Sequence, residues 1–224
     1  MFTGDFMSKF FKMLKCFKAT LAIGILACIC GCSGESAEER TDVKEKITSM
    51  SGYSCEAEIN VKSNKGQNNY SARISWEKSG KYKIETKSPE ILKGNVILFD
   101  GKGLWQYNPN IESKISLSKT GGDFDGKSKI FISEFMKSYL SGSDSSEEEV
   151  LFGGKKYNVL LANVGGGKYF AYQKLWIDVE EEVPFRLQTF DDKNNTVFSA
   201  DFSDFKFDSD FSEDEFLIPG LNAD

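Results

Sequence analysis

Cys28, Cys30 and Cys32 lie together in the stretch LACICGCSGES. Thiols at such close spacing can form disulfides, bind a metal or accept a covalent group. A zinc site would need a further cysteine pair or histidines, and the chain has no downstream cysteine pair and no histidine. The lack of histidine also excludes Ser-His-Asp and Cys-His catalysis and His-ligated metals. Covalent modification of one of these thiols remains a possible role for them.

The residues before these cysteines have the features of an export signal. An uncharged stretch, ATLAIGILACICG, covers residues 19–31. It is shorter than the roughly 20 apolar residues that a membrane-spanning helix needs, and it has the length of a signal-peptide core. The positive segment in front of it contains Lys9, Lys12, Lys15 and Lys18. We predict that residues 1–31 are a signal peptide.

The last four residues of this stretch, Ile-Cys-Gly-Cys at positions 29–32, resemble the lipobox of bacterial lipoproteins. In lipoproteins the final cysteine receives a diacylglycerol thioether, and the signal is cut just before it. Cys32 is the best acceptor because Gly31 precedes it, and Cys28 is a weaker second choice. An ordinary cleaved signal or a short anchor with unmodified cysteines is the alternative. Two acyl chains on Cys32 would retain the protein at a membrane.

The chain that remains after cleavage is acidic. Removing residues 1–31 takes away four lysines and Asp5, which leaves 193 residues and moves the net charge from −6 to −9. No basic patch stands out against this acid excess, which argues against nucleic acid as a partner. Besides Cys32 only Cys55 survives, so no intramolecular disulfide framework is expected and stability must come from the core.

The remaining acidic and glycine-rich motifs are predicted to be turns. Asp123, Asp125 and residues 178–182 supply carboxylates, but nothing in their spacing makes two of them converge in a cleft. GGGKY at 165–169 lacks the spacing of a phosphate loop, and DDKNNT at 191–196 lacks the glycine and the final Glu of a calcium loop. We predict no catalytic residue, no cofactor and no metal. An envelope enzyme is the least supported hypothesis.

Two segments have helical periodicity. Val43, Ile47 and Met50, spaced by four and three, predict a helix of about three turns from Glu38. A second helix is predicted at residues 129–140, with a bulky apolar face that needs a concave surface. That face contains Phe131, Ile132, Phe135, Met136, Tyr139 and Leu140. A capping box at residues 212–215 predicts a last helical turn.

The rest of the chain alternates between apolar and polar residues, as β-strands do. Cys55, Ala57, Ile59 and Val61 alternate with polar residues, so Cys55 should point inward as a small apolar side chain. NKGQNN at 64–69 is read as a turn-rich connection, and KYFAYQKLWIDV as one long aromatic strand. About nine or ten strands, with helices segregated from them, predict an α+β fold with an antiparallel sheet.

Four segments in this order resemble the lipoprotein-carrier superfamily of LolA and LolB: ISWEKSGKYKIETKSPE, ILFDGKGLWQYNP, LWIDVEEEVPFRLQTFD and FSDFKFDSDFSEDEFLIP. The resemblance implies a strongly curved antiparallel sheet, an incomplete barrel, with two to three helices on its concave side. It places one domain at residues 38–220, after a lipidated tether at 32–37 and before a tail at 221–224.

Within that superfamily the sequence is similar to the clostridial germination lipoproteins of the GerS type. That similarity implies a non-enzymatic protein on the outer face of the outer forespore membrane. Its implied partner is the exported cortex amidase CwlD, an N-acetylmuramoyl-L-alanine amidase that carries its own zinc. Modified cortex is then recognised by lytic enzymes at germination. Exposed strand edges also suggest a homodimer formed by strand exchange.

The aromatic residues predict an apolar inner face that could serve either of two functions. If the second helix fills the barrel, the protein is a packed scaffold and a tethered binding module. If that helix moves, the barrel is a carrier or acceptor for lipids or lipoproteins of the LolA/LolB type. The predicted lining of the cavity is Trp76, Ile84, Trp105, Phe131, Phe135 and Trp176.

Overall fold

The computed structural model of the protein describes residues 42–63, 66–111, 113–118, 130–165 and 167–217. The α-helices are α1 (Val43–Ser49) and α2 (Ile132–Ser141). The strands are β1 (Gly52–Ser63), β2 (Gly66–Glu77), β3 (Tyr82–Ser88), β4 (Val96–Phe99), β5 (Leu104–Asn108), β6 (Ser113–Ser118), β7 (Ser146–Phe152), β8 (Lys155–Asn163), β9 (Tyr172–Asp178), β10 (Val183–Phe190) and β11 (Thr196–Phe207). Among the described residues, 3₁₀ helices cover Glu90–Leu92, Pro109–Ile111, Gly167–Tyr169 and Glu213–Phe216.

All eleven strands form one antiparallel sheet in the order β6-β5-β4-β3-β2-β1-β11-β10-β9-β8-β7. Except for β6 and β7, strands that are neighbours in sequence pair with each other, and the β1–β11 pair joins the two halves. The sheet is curved and unclosed, with β6 and β7 at its edges. The predicted α+β class and incomplete barrel are confirmed, although the sheet has one or two strands more than expected.

The topology explains where α2 lies. Because β6 and β7 are opposite edges of the sheet, the chain that joins them must cross from one edge to the other. α2 belongs to this connection and places Ile132, Phe135 and Met136 in the main core. We call the sheet face that α2 covers the inner face, and the opposite one the outer face.

α1 is shorter than the sequence predicts. It begins at Val43 because Asp42 is its N-cap and accepts a hydrogen bond from the backbone N–H of Lys44 at 3.0 Å. The prediction of three turns from Glu38 is therefore wrong, since the helix has seven residues. Its apolar side is as predicted, with Ile47 and Met50 buried in the core.

Two connections are also shorter or differently placed than expected. Only residues 64 and 65 separate β1 from β2, so most of NKGQNN continues the strand. These polar residues are part of β2 because they pair with β1. For example, the Asn60 side chain donates a hydrogen bond to the Asn69 side chain. The predicted aromatic strand from Lys168 begins instead at Tyr172, after a 3₁₀ turn. These differences arise because ladder partners, not local propensity, set the strand ends.

The main core lies on the inner face. Cys55 is buried there, which confirms its predicted inward orientation, and burial raises the pKa of its thiol. The predicted apolar face of α2 is confirmed for its buried members, but Leu140 is 63% exposed at the end of the helix. The buried members from the sheet include Tyr53, Cys55, Ala57, Ala72, Ile74, Ile84, Leu160, Ala162, Leu175, Ile177, Leu187, Ala200 and Phe202.

A smaller core lies on the outer face, where Val96 and Leu98 of β4 pack against Phe216. The last helical turn is present, as predicted, as the 3₁₀ helix Glu213–Phe216. The capping box is not, because Ser212 makes no side-chain cap hydrogen bond. The Glu215 carboxylate instead accepts a hydrogen bond from Ser75 Oγ at 2.7 Å, which ties this turn to β2.

Candidate functional site

The structure brings four of the predicted cavity residues together on the inner face. Ile84, Phe131 and Phe135 belong to one buried cluster, and Trp76 packs against it. Phe135 is fully buried, so α2 occupies the space that a barrel-bound ligand would need. In this conformation the described residues form a packed scaffold around α2.

Trp105 and Trp176 do not join this cluster. Trp105 packs on the outer face with the Val96–Leu98–Phe216 core, and its Nε1–H donates to Asp100 Oδ2 at 3.0 Å. Trp176 also faces outward, because its neighbours Leu175 and Ile177 are the inward residues of β9. The alternation of inward and outward side chains along each strand already predicts that both tryptophans face outward. Leu104, next to Trp105, and Leu175, next to Trp176, mark the inward positions.

Tyr53 is an inner-face residue that the sequence analysis did not select. It is fully buried, and its ring stacks between those of Trp76 and Phe205, with centroid distances of 5.6 and 5.2 Å. Tyr53 Oη has no hydrogen-bond partner among the described residues. Burial raises the pKa of Tyr53 well above its ordinary value, and the nearby backbone of Ile132 offsets part of that rise. The Tyr53 hydroxyl therefore lies buried beside the start of α2, near the Ile132 backbone but without a hydrogen bond of good geometry to it.

Two of the carboxylates with lowered pKa values, Asp178 and Asp191, cap turns. Burial opposes ionisation of Asp178, but the backbone N–H groups of Glu181 and Glu180 and the Lys155 ammonium outweigh it and lower its pKa. Asp191 accepts hydrogen bonds in its own loop, chiefly from Asn195, which lowers its pKa as well. Asp191 lies in a turn, as predicted, whereas Asp178 is the buried last residue of β9 and not a solvated turn charge. No group of three or more metal-ligating side chains occurs within the described ranges.

A second candidate surface is the edge strand β7. Three consecutive glutamates on β7 pair with lysines, Glu147 with Lys44 at 2.8 Å, Glu148 with Lys174 at 3.3 Å and Glu149 with Lys156 at 3.8 Å. The strand ends in Leu151 and Phe152, whose exposed fractions are 73% and 50%. It is thus acidic along its length and apolar at its end.

The apolar end of β7 rests on an aromatic cluster of the outer face. Phe152 contacts Trp176 edge-on at 5.9 Å between ring centroids, and Tyr157 contacts both Trp176 and Phe185. The Arg186 guanidinium lies 5.8 Å from the Phe152 ring and donates two hydrogen bonds of 2.6 Å to Asp201. These contacts hold Phe152 in place although half of it is exposed.

Several predicted features lie outside the described residues. They are Cys32 with the signal peptide at 1–31 and the tether at 32–37, Asp123 and Asp125, and the tail at 221–224. The domain limits, the lipidation site and the cavity remain predictions. In the part of the chain that is described, no helix is long and apolar enough to cross a bilayer.

Comparison with known families decides the relationship of the chain. The family described as "Sporulation protein YdcC-like" matches residues 12–216, almost the whole sequence. The chain belongs to this family. Together with the sequence match to a lipoprotein carrier protein given below, this supports membership of the LolA-like superfamily, as its sequence motifs predict.

Three matches illustrate the range of relatives of this YdcC-like protein. A chain in the structure of the CwlD amidase from Clostridioides difficile in complex with the GerS lipoprotein is 30% identical, covering 74% of this chain and 91% of that one, with a TM-score of 0.45. An uncharacterised conserved protein from Thermus thermophilus shares the fold, with 16% identity, coverage of 80% and 93%, and a TM-score of 0.53.

The third match is an outer-membrane lipoprotein carrier protein from Actinobacillus pleuropneumoniae, 27% identical over 99 residues, which are 43% of this chain. The YdcC-like protein spans less than half, 45%, of that relative's length.

Proposed function

We propose that this YdcC-like protein is a non-enzymatic lipoprotein of the spore envelope that binds and supports an exported N-acetylmuramoyl-L-alanine amidase. This proposal rests mainly on the 30% sequence identity to a chain of the amidase–GerS complex, over 91% of that chain. We take the matched chain to be the lipoprotein, because this sequence has a lipobox-like motif and none of the histidines that commonly bind a catalytic zinc.

The structure supports a binding module rather than a catalyst. Phe135 and Met136 fill the inner face, and the described carboxylates with lowered pKa values cap turns or accept turn N–H groups. The zinc chemistry would therefore belong to the partner. Lipidation of Cys32 would hold the protein on the outer face of a membrane, proposed to be the outer forespore membrane, where an exported amidase can reach it.

The experiment uses the full chain with a C-terminal tag, purified in detergent from the membranes of sporulating cells. We expect the amidase to copurify with it, and we expect a deletion strain to lack muramic lactam in its spore cortex. Restoring the gene should restore the lactam, which controls for effects on neighbouring genes. Normal lactam in the deletion strain would rule this function out.

The alternative is a lipid or lipoprotein carrier, which the similarity to the Actinobacillus carrier favours. A carrier should retain acyl ligands on its inner face, and opening that face would require α2 to leave it. Native mass spectrometry of the protein purified from membranes tests this. Bound acyl species beyond the covalent anchor would support the carrier, and their absence would support the packed scaffold.

The homodimer by strand exchange also stays a prediction. The two edges of the unclosed sheet, β6 and β7, are where exchange would take place. Light scattering of the detergent-purified protein, corrected for bound detergent, would distinguish a dimer from a monomer.

A further inference from the structure

The backbone of β7 presents hydrogen-bonding groups on the side away from β8. Gly153 and Gly154 form a two-residue hairpin turn with φ values of 59° and 82°, so Phe152 and Lys155 are the first hydrogen-bonded pair. Antiparallel ladders alternate, and the backbone N–H and C=O groups of Leu151 and Glu149 therefore point away from β8. Among the described residues no strand pairs with this side of β7.

The edge offers apolar contacts on both faces of the sheet at one end. Leu151, 73% exposed, and Phe152 point to opposite faces because they are adjacent in the strand. Phe152 is fixed by Trp176 and Arg186, so its exposed half needs little further ordering when a partner binds. Val179, 36% exposed, lies in the adjoining turn, where its N–H donates to the Lys156 carbonyl at 3.2 Å.

The charges around this edge indicate which kind of partner would fit it. Glu147, Glu148 and Glu149 lie along the strand. Each is paired with a lysine of the same chain, but the side chains of Glu148 and Glu149 stay 60% and 73% exposed and are accessible to a partner. Residues 180–182 add three glutamates in the turn that follows Val179. Direct pairing of β7 with the β7 of a second copy, as distinct from strand exchange, is unfavourable. A two-fold axis near Glu148 or Glu149 would place glutamates of the two copies opposite each other, which is unfavourable. Charged edges also discourage aggregation, which is compatible with recognition of one matching segment.

We propose that β7 is the edge to which the amidase binds, through an extended segment that adds as a further strand. This segment would carry basic side chains opposite the glutamates of β7 and an apolar side chain beside Leu151 and Phe152. Main-chain hydrogen bonds would give affinity, and the charged and apolar contacts would give specificity. The inference rests on the proposed function, and it identifies the surface by which that function is performed.

The first test removes one backbone donor. In Glu149→Pro the N–H that points away from β8 is lost, while the ladder to β8 is kept. Glu149→Ala is the matched control, because it removes the same carboxylate and leaves the N–H. By calorimetry with the purified amidase and the full chain in detergent, we expect at least tenfold weaker binding for Glu149→Pro and a smaller loss for Glu149→Ala.

The second test addresses the apolar end and remains informative if the proline variant misfolds. We expect Leu151→Asp to weaken amidase binding at least tenfold. Ile91→Asp is the control, because Ile91 is equally exposed, at 78%, in the 3₁₀ helix Glu90–Leu92 and away from β7. Circular dichroism melting of each variant should match the wild type.

The outcomes separate the two proposals. If the wild-type chain binds the amidase and folded Glu149→Pro and Leu151→Asp bind it within twofold of wild type, the docking edge is wrong and the proposed function stands. If the wild-type chain does not bind the amidase, both are wrong. If light scattering shows a wild-type dimer that Glu149→Pro abolishes while amidase binding persists, β7 is a self-association edge and the amidase assignment is overturned.

Discussion

The ring of Phe131 lies 4.7 Å from the ring of Tyr82, and this contact ties the start of α2 to β3. Phe131 is the N-cap residue of α2 and is only 2% exposed. The segment that crosses from β6 to β7 is therefore held against the inner face at its helical part. Because α2 is fixed at this point, Phe135 in its next turn lies in the main core.

The packed inner face predicts a large cost for shortening Phe135. Phe135→Ala should lower the free energy of unfolding by about 3–5 kcal/mol, because a fully buried aromatic ring leaves a cavity when it is removed. Leu140→Ala, on the same helix but 63% exposed, should change it by less than about 0.5 kcal/mol. Urea unfolding followed by tryptophan fluorescence measures both. A loss below about 1 kcal/mol for Phe135→Ala would mean that α2 is not packed as described.

Removing the buried hydroxyl of Tyr53 should not lower the free energy of unfolding, in contrast to shortening Phe135. Tyr53→Phe should leave the free energy of unfolding unchanged or raise it by about 1 kcal/mol, because an unsatisfied buried hydroxyl is costly and the ring stacking is kept. Tyr53→Ala is the comparison that removes the ring and should be strongly destabilising. If Tyr53→Phe is destabilising by more than about 1 kcal/mol, the hydroxyl has a hydrogen-bond partner in solution.

Asp178 predicts a pH dependence of stability. Its pKa is lower in the folded protein, so it contributes stability at neutral pH that is lost as the pH falls through the folded-state pKa. Asp178→Asn should be less stable than wild type by about 1–2 kcal/mol at pH 7, and the difference should shrink between about pH 5 and pH 2. Urea midpoints across this range measure it. Asp144→Asn, in an exposed turn, should match wild type at pH 7. A difference that stays constant with pH would contradict this account of Asp178.

The lipobox predicts a single lipid attachment site. Cys32→Ser should abolish incorporation of labelled palmitate and shift the protein out of the membrane fraction, because the thiol that forms the thioether is gone. Cys28→Ser is the control and should retain both the label and the membrane location. Continued palmitate labelling of Cys32→Ser would show that another cysteine accepts the lipid.

The local rules of the sequence predicted most strands. Alternation in β1 placed Cys55 inward, because the period of the side chains along a strand is a local property. The helices were harder to delimit. The start of α1 depended on one capping hydrogen bond, which the Asp42 carboxylate accepts from the Lys44 backbone N–H, and the spacing of three apolar residues could not reveal it.

Composition and short-range pattern were enough to predict the acidic character, the antiparallel α+β class and an export signal with a lipobox. They did not predict that α2 fills the inner face, that Trp105 and Trp176 pack on the outer face, or that β7 is an edge. These features depend on the pairing of β1 with β11, which joins residues about 150 positions apart in the chain. No local pattern specifies such a contact, and the burial and exposure of distant residues follow from it.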